Sequence, residues 1–264
     1  MKNSKIEWCD HTANLWWGCT EVHEGCDRCY ARTFSHRYDG GKSLWGKDAP
    51  RRMIKGVWNA LDSFQRKANQ SNDVYSVFVG SMMDIFEKPM SLLNPIDRYK
   101  STDDLRRELF ERISADAYPN LLFLLLTKRP SNINKYIPKV WIAEPRPNVM
   151  FGTSVVNQKT FDTLVPHLNK VNGCKFLSVE PQLAPINIDH KLVAGIDWII
   201  QGGESGHHKR IFDTQWARSM RDQCESLGIP YFFKQIDKIQ EIPKDLMIRE
   251  LPLLEDKLSK RSAA

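Results

Sequence analysis

Six short apolar runs punctuate the chain: Val77–Val79, Leu121–Leu126, Val149–Phe151, Phe176–Val179, Trp198–Ile200 and Tyr231–Phe233. Each is unbroken rather than alternating, the pattern of a strand buried on both faces. Their starts lie about 22 to 45 residues apart, room for a crossover helix each time. Helical spacing fills several of the intervals. Thr102–Ile113 sets Leu105, Leu109, Phe110 and Ile113 on one face behind a Thr102 N-cap. Thr214–Leu227 stops at Gly228, with Pro230 beyond it, and Gln158–Val171 is a third helix candidate. The alternation predicts right-handed βαβ units on a parallel sheet. A short first strand near Asn14–Trp17 brings the total to about seven. The expected fold is therefore α/β, a full or partial TIM-like (β/α) barrel occupying residues 1–264 as one domain. Lys42–Asn72 and Lys88–Ser101 read as insertions or irregular connections, and residues 255–264 as a frayed tail.

In a parallel barrel the chemistry sits where the strands end. Polar residues follow the runs in turn: Ser81 to Asp84, Thr127 to Arg129, Thr153 and Ser154, Glu180, Gln201 to Gly206, and Lys234 with Gln235. Charged groups at such points are costly unless partnered. Lys128 and Arg129 suit a phosphate or carboxylate, and the Gly202–Gly206 loop suits a phosphate or an adenosine. Lys234 offers an amine for Schiff-base chemistry. His207 and His208 read as loop residues, and Cys174 and Cys224 as buried, inert thiols.

The strongest chemical signal is Cys19, Cys26 and Cys29, spaced C-x6-C-x2-C on a loop (18–31) after the first expected strand. Thiolates are soft donors suited to zinc or iron–sulfur clusters. Gly25 eases the backbone into the tight turn that the Cys26–Cys29 pair needs. A structural zinc site closes with four protein ligands. Here the fourth would have to be His23, His36, Cys9 or a distant group, and the chain contains no second C-x2-C or H-x3-H pair. A [4Fe–4S] cluster held by three cysteines, with one iron open, fits the count.

Charge and hydropathy narrow the classes. The net charge of +6 permits a polyanionic partner without requiring one. The longest apolar run is too short to span a bilayer, and the N-terminus lacks the apolar core of a signal peptide. A cytoplasmic protein without a membrane partner is expected. Six cysteines in a reducing compartment then point to metal binding rather than disulfides.

The segments KIEWCDHTANLWWGCTEVHEGCDRCYA, VFVGSMMDIF, LLLTKRP, FGTSVVNQ, SVEPQLAPI, WIIQGGESG and RSMRDQCESLGIPYFFKQ closely resemble an uncharacterised, often phage-encoded three-Cys-motif family. That family in turn resembles the radical S-adenosylmethionine (SAM) superfamily. The resemblance implies a cluster on Cys19, Cys26 and Cys29 whose open iron chelates SAM, an external electron donor, and reductive cleavage to a 5′-deoxyadenosyl radical. It further implies that Asp84 accepts from the SAM ammonium, that Ser154 meets the ribose or carboxylate, and that Glu180, Gln201 and Gly202 line the cavity. The sequence departs from the usual C-x3-C-x2-C pattern in its first gap. Arg28 precedes Cys29 where an aromatic residue is common, and Tyr30 follows it. A nucleic acid or nucleotide is the expected substrate class, for modification or repair. The alternatives are a non-catalytic nucleic-acid-binding phage protein whose loop is held by metal, and a metal-independent lyase using Lys234.

Overall fold

The computed structural model describes residues 4–38, 43–206 and 208–252. The expected tail 255–264 and His207 lie outside them. All six apolar runs lie within strands of one sheet, which a seventh strand completes. The strands are β1 (His11–Ala13), β2 (Tyr75–Val79), β3 (Leu121–Thr127), β4 (Val149–Ser154), β5 (Cys174–Val179), β6 (Trp198–Gly202) and β7 (Tyr231–Gln235). They pair in chain order, every pair parallel. The sheet curls into a half-barrel with β1 and β7 at its edges, so the expected partial (β/α) barrel is the fold. A register shift at Gln201 and Gly202 bends the pairing of β6 with β7 near the strand ends.

The runs are unbroken because each strand feeds two cores. Val77, Val79, Phe123, Leu125, Phe151 and Leu177 pack under the helices. The longer of those helices are α2 (Val57–Ser71), α3 (Thr102–Ser114), α4 (Gln158–Leu168) and α5 (Thr214–Leu227), while α1 (Tyr30–Ser35) follows the cysteine loop. The alternate residues Phe78, Leu124, Met150, Phe176, Ile200 and Phe232 form an inner core, closed from the N-terminal side by Trp8 and Cys9. Trp8 lies tilted against Phe78 at 4.6 Å and edge-on to Trp198 at 6.2 Å, ring centre to ring centre. Burying one such side chain contributes about 1.5–3 kcal/mol, so both faces hold the sheet.

Four local expectations are corrected. The first parallel strand is His11–Ala13 rather than Asn14–Trp17. Trp16–Trp17 instead pairs antiparallel with Arg52–Met53. Asn14 ends β1 because its side chain bridges to the next strand's loop, donating to Ser81 Oγ (2.8 Å) and accepting from the Met82 N–H (2.8 Å). Within Lys42–Asn72, expected to be irregular, lies the 15-residue helix α2. It buries Val57, Leu61, Phe64 and Ala68, one face at helical spacing, and ends at left-handed Asn72 (φ 51°). Within Lys88–Ser101, Ser91–Ile96 and Tyr99–Ser101 form a two-stranded hairpin. Ser101, not Thr102, caps α3, in a reciprocal capping box with Asp104.

Candidate functional site

The cysteine loop starts at Gly18, which sits at φ +115° with its N–H donating to the Met82 carbonyl (3.1 Å). A Cβ there would fall 2.3 Å from the Leu44 carbonyl oxygen, so only glycine lets segment 44–51 close over the loop. Cys19 follows, deep in the site. Cys26 ends a single 3₁₀ turn, Glu24–Cys26, whose Gly25 N–H donates to His23 Nδ1 (3.1 Å). Cys29 precedes the first residue of α1 and its N–H returns to the Cys26 carbonyl (3.2 Å). Burial and the nearby Lys128 hold His23 down at about 4. The imidazole is therefore neutral near pH 7, with Nδ1 engaged as an acceptor.

The loop is fastened to the far strands. Arg28 donates to the His208 carbonyl, Asn157 to the Glu24 carboxylate, and Arg210 to the Glu24 carbonyl (3.2 Å). Arg210 in turn grips buried Glu204 through its side chain and through its own N–H (2.8 Å). Burial alone would raise the Glu204 carboxyl, but the Arg210 hydrogen bonds outweigh it and hold the group below its ordinary range.

All three cysteines line one cavity of about 170 Å³, and all are free thiols. Trp8, Phe78 and Leu126 contribute its apolar wall, and Asp84, Arg129, Ser154, Glu180, Glu204 and Lys234 its polar one. The loop thus meets the C-terminal ends of the parallel strands, where such folds gather functional groups. Among the described residues, no three His, Cys, Asp or Glu side chains converge tightly enough to hold a single metal ion. Thiolates at about 2.3 Å from one zinc stand about 4 Å apart. A cubane takes each thiolate on a different iron and needs a wider set. By donor chemistry, three soft thiols of one loop lining one cavity suit a thiolate-held metal or iron–sulfur group.

Burial pushes the Cys19 thiol up to about 12, with Asp84 and Glu87 adding to the rise and Arg129 opposing it. Arg129 Nη1 lies 3.9 Å from Cys19 Sγ and 2.6 Å from Asp84 Oδ2. Asp84 itself is filled. Oδ1 accepts from the Phe86 N–H (2.9 Å) and Thr127 Oγ1 (2.7 Å), and Oδ2 from the Lys128 N–H (3.2 Å) and Arg129. A carboxylate has about four lone-pair positions, so Asp84 holds Arg129 in place and has none left for a ligand ammonium.

Of the other expected residues, Ser154 and Glu180 line the cavity and Gln201 and Gly202 do not. Side chains alternate across a strand. Ile200 faces the inner core, so Gln201 turns the other way, toward α5. There it donates to Gln182 Oε1 and the Trp216 carbonyl (3.2 Å) and accepts from the Tyr231 hydroxyl. The cavity is reached instead by Gly203, Glu204 and Ser205. Glu180 pairs with Lys234, which lies on the same wall. Cys9 is buried in the inner core, 3.6 Å from the Ile6 carbonyl. Cys174 and Cys224 are buried as expected. Trp8, Arg210 and the Asp84–Arg129 pairing are features that the sequence did not bring forward. An indole and an arginine outside any motif carry no spacing signal.

No helix among the described residues is long and apolar enough to cross a membrane. Comparison with curated proteins gave no match to the chain. A family profile described as "Protein of unknown function (DUF5131)" matches residues 3–252. That span covers nearly the whole sequence, so the chain, with its half-barrel and cysteine-lined cavity, belongs to this family.

Proposed function

We propose that the protein is a radical SAM-type iron–sulfur enzyme of the reducing cytoplasm. In this proposal Cys19, Cys26 and Cys29 hold a [4Fe–4S] cluster, SAM binds beside it, an external donor supplies electrons, and the substrate is a nucleic acid or nucleotide. The observation that carries it is the meeting of three free thiols from one loop with the strand ends of a parallel half-barrel, around one cavity. The resemblance to the phage-encoded three-Cys-motif family adds to it. When bound, cluster and SAM supply reductive radical chemistry, which protein side chains lack.

The chain's own residues bind and position. Arg129, fixed by Asp84, sets a positive charge beside Cys19 and favours its thiolate. With Lys128 it offers charge complementary to a carboxylate. Ser154 presents a hydroxyl, and Glu204 is latched by Arg210 at the opposite wall. Lys234 is already engaged by Glu180 in an ion pair, which disfavours the Schiff-base reading.

The test is anaerobic purification, iron and zinc counts per chain, and addition of SAM with dithionite. About four irons per chain, lost in the Cys19/Cys26/Cys29→Ala triple variant, together with 5′-deoxyadenosine, is the expected result. One zinc per chain and intact SAM would overturn it and favour a metal-stabilised binding protein.

A further inference from the structure

Beside the cysteine cavity lies a second, larger one of about 1160 Å³. The two are contiguous: Ile6, Arg28, Tyr30, Ser81, Met82 and Ser205 line both. Tyr30 stands on that boundary, its hydroxyl donating to the Ser81 carbonyl (2.8 Å). The larger cavity exceeds the roughly 300–1,000 Å³ usual for a small-molecule site, so it has room for a polymer.

Its lining is predominantly cationic. Lys5, Arg28, Arg37, Lys209 and Lys238 face it, with Asp27 as the acid. Lys209 is paired with Asp237 (2.8 Å), while Lys5, Arg28, Arg37 and Lys238 are exposed. Aromatic rings lie among these cations. Trp17 and Phe34 line the groove with centroids 5.8 Å apart. Phe34 is 40% and Tyr30 49% exposed, although both are large rings that gain by burial. Exposed rings interleaved with cations along a groove suit a single strand, whose phosphates meet the cations and whose bases stack on the rings. A duplex keeps its bases stacked inside, beyond reach of the rings and of a recessed cavity.

We infer that this groove binds single-stranded nucleic acid and leads one nucleotide past Tyr30 toward the cysteine cavity. The inference rests on the proposed function only for what happens at that inner end.

The test is fluorescence anisotropy with a labelled strand of roughly 12 nucleotides, as DNA and as RNA, over a range of KCl. Either strand binds, and the tighter of the two identifies the sugar. With four exposed cations engaged, log K falls with log[salt] at a slope of about −3, or about 0.7 per phosphate neutralised. Phe34→Ala weakens binding about fivefold or more, Arg37→Gln lowers the slope by about 0.7, and Lys170→Gln, at an exposed site outside the groove, binds as the parent does. The same sequence as a duplex binds at least about tenfold more weakly. Equal binding of duplex and strand, no binding of either strand at low salt, or parental binding by both groove variants would overturn the inference. Iron content and melting temperature of the variants are measured alongside and stay parental. If the groove fails while iron and deoxyadenosine formation persist, only this inference falls. If the cysteine triple variant lacks iron yet binds the strand normally, the groove stands without regard to the cluster.

Discussion

Replacing Arg51 tests what holds the cysteine loop in place. The side chain is fully buried, and its partner Glu87 is 1% exposed. Nε and Nη2 meet the two Glu87 carboxylate oxygens at 2.7 and 2.8 Å. The remaining hydrogens reach the Leu44 and Ala49 carbonyls (2.9 and 2.7 Å), the Gly46 carbonyl (3.2 Å) and Thr20 Oγ1 (2.9 Å). One guanidinium thus ties segment 44–51 to the residue after Cys19. Arg51→Met keeps most of the volume but leaves a buried carboxylate without its partner, a cost of about 3–5 kcal/mol. Each acceptor stripped of its donor adds about 1 kcal/mol where water does not replace it. A total near 5 kcal/mol is a large part of the about 5–15 kcal/mol that holds an ordinary domain together. The assay is urea unfolding followed by fluorescence of the eight tryptophans, read as a shift in midpoint at constant slope. The Arg51→Met/Glu87→Leu double variant removes the stranded charge and recovers about 2–3 kcal/mol of the loss. Iron content falls in the single variant even where it is folded, because Thr20 loses one of its anchors. A loss below about 1 kcal/mol, or a double variant no better than the single one, would refute the reasoning.

Three further outcomes are expected. Asp84→Asn replaces two acceptor positions with donors facing other donors. It should cost about 2–4 kcal/mol in thermal unfolding and lower iron retention by freeing Arg129; unchanged values for both would show that Asp84 does not position Arg129. Gln201→Leu should lose about 1–3 kcal/mol by stranding the Tyr231 hydroxyl and Gln182, yet keep its iron and SAM binding, and a selective loss of SAM binding would return Gln201 to the cavity. Glu204 has a depressed folded pKa, so its contribution is complete above the unfolded value of about 4.3 and is lost as pH falls through the folded value. The gap in urea midpoint between the parent and Glu204→Gln should therefore be full at neutral pH and close below about pH 4. A gap that does not change with pH would contradict the latch.

Much of the fold was legible because parallel strands buried on two faces have no polar alternation to confuse them. Each of the six runs lies in the sheet, and Thr214–Leu227 is α5 to the residue. Helix α2 was missed: its 57, 61, 64, 68 stripe was diluted by the polar residues between those positions, and the interval read as a connection. The first strand was not, since His11 and Thr12 carry no apolar run. At the site, the face of each strand was within reach. Counting by twos from Leu124, Phe176 and Phe232 puts Leu126, Glu180 and Lys234 inward, and from Ile200 the same parity turns Gln201 away.

The sequence by itself determined the βαβ alternation and the grouping of three thiols on one loop, because both depend on neighbours along the chain. Tertiary structure alone decided which charges met. Arg28 reaches a carbonyl 180 residues away, Arg210 one 186 away, and Glu180 finds Lys234 54 residues on. No periodicity records such pairs, since each arises only after the sheet has curled and brought distant strand ends to one rim. The same holds for the cation-rich groove: its cations come from the N-terminal segment, the turns on either side of α1 and the loops after β6 and β7, and become one surface only when those elements share an edge.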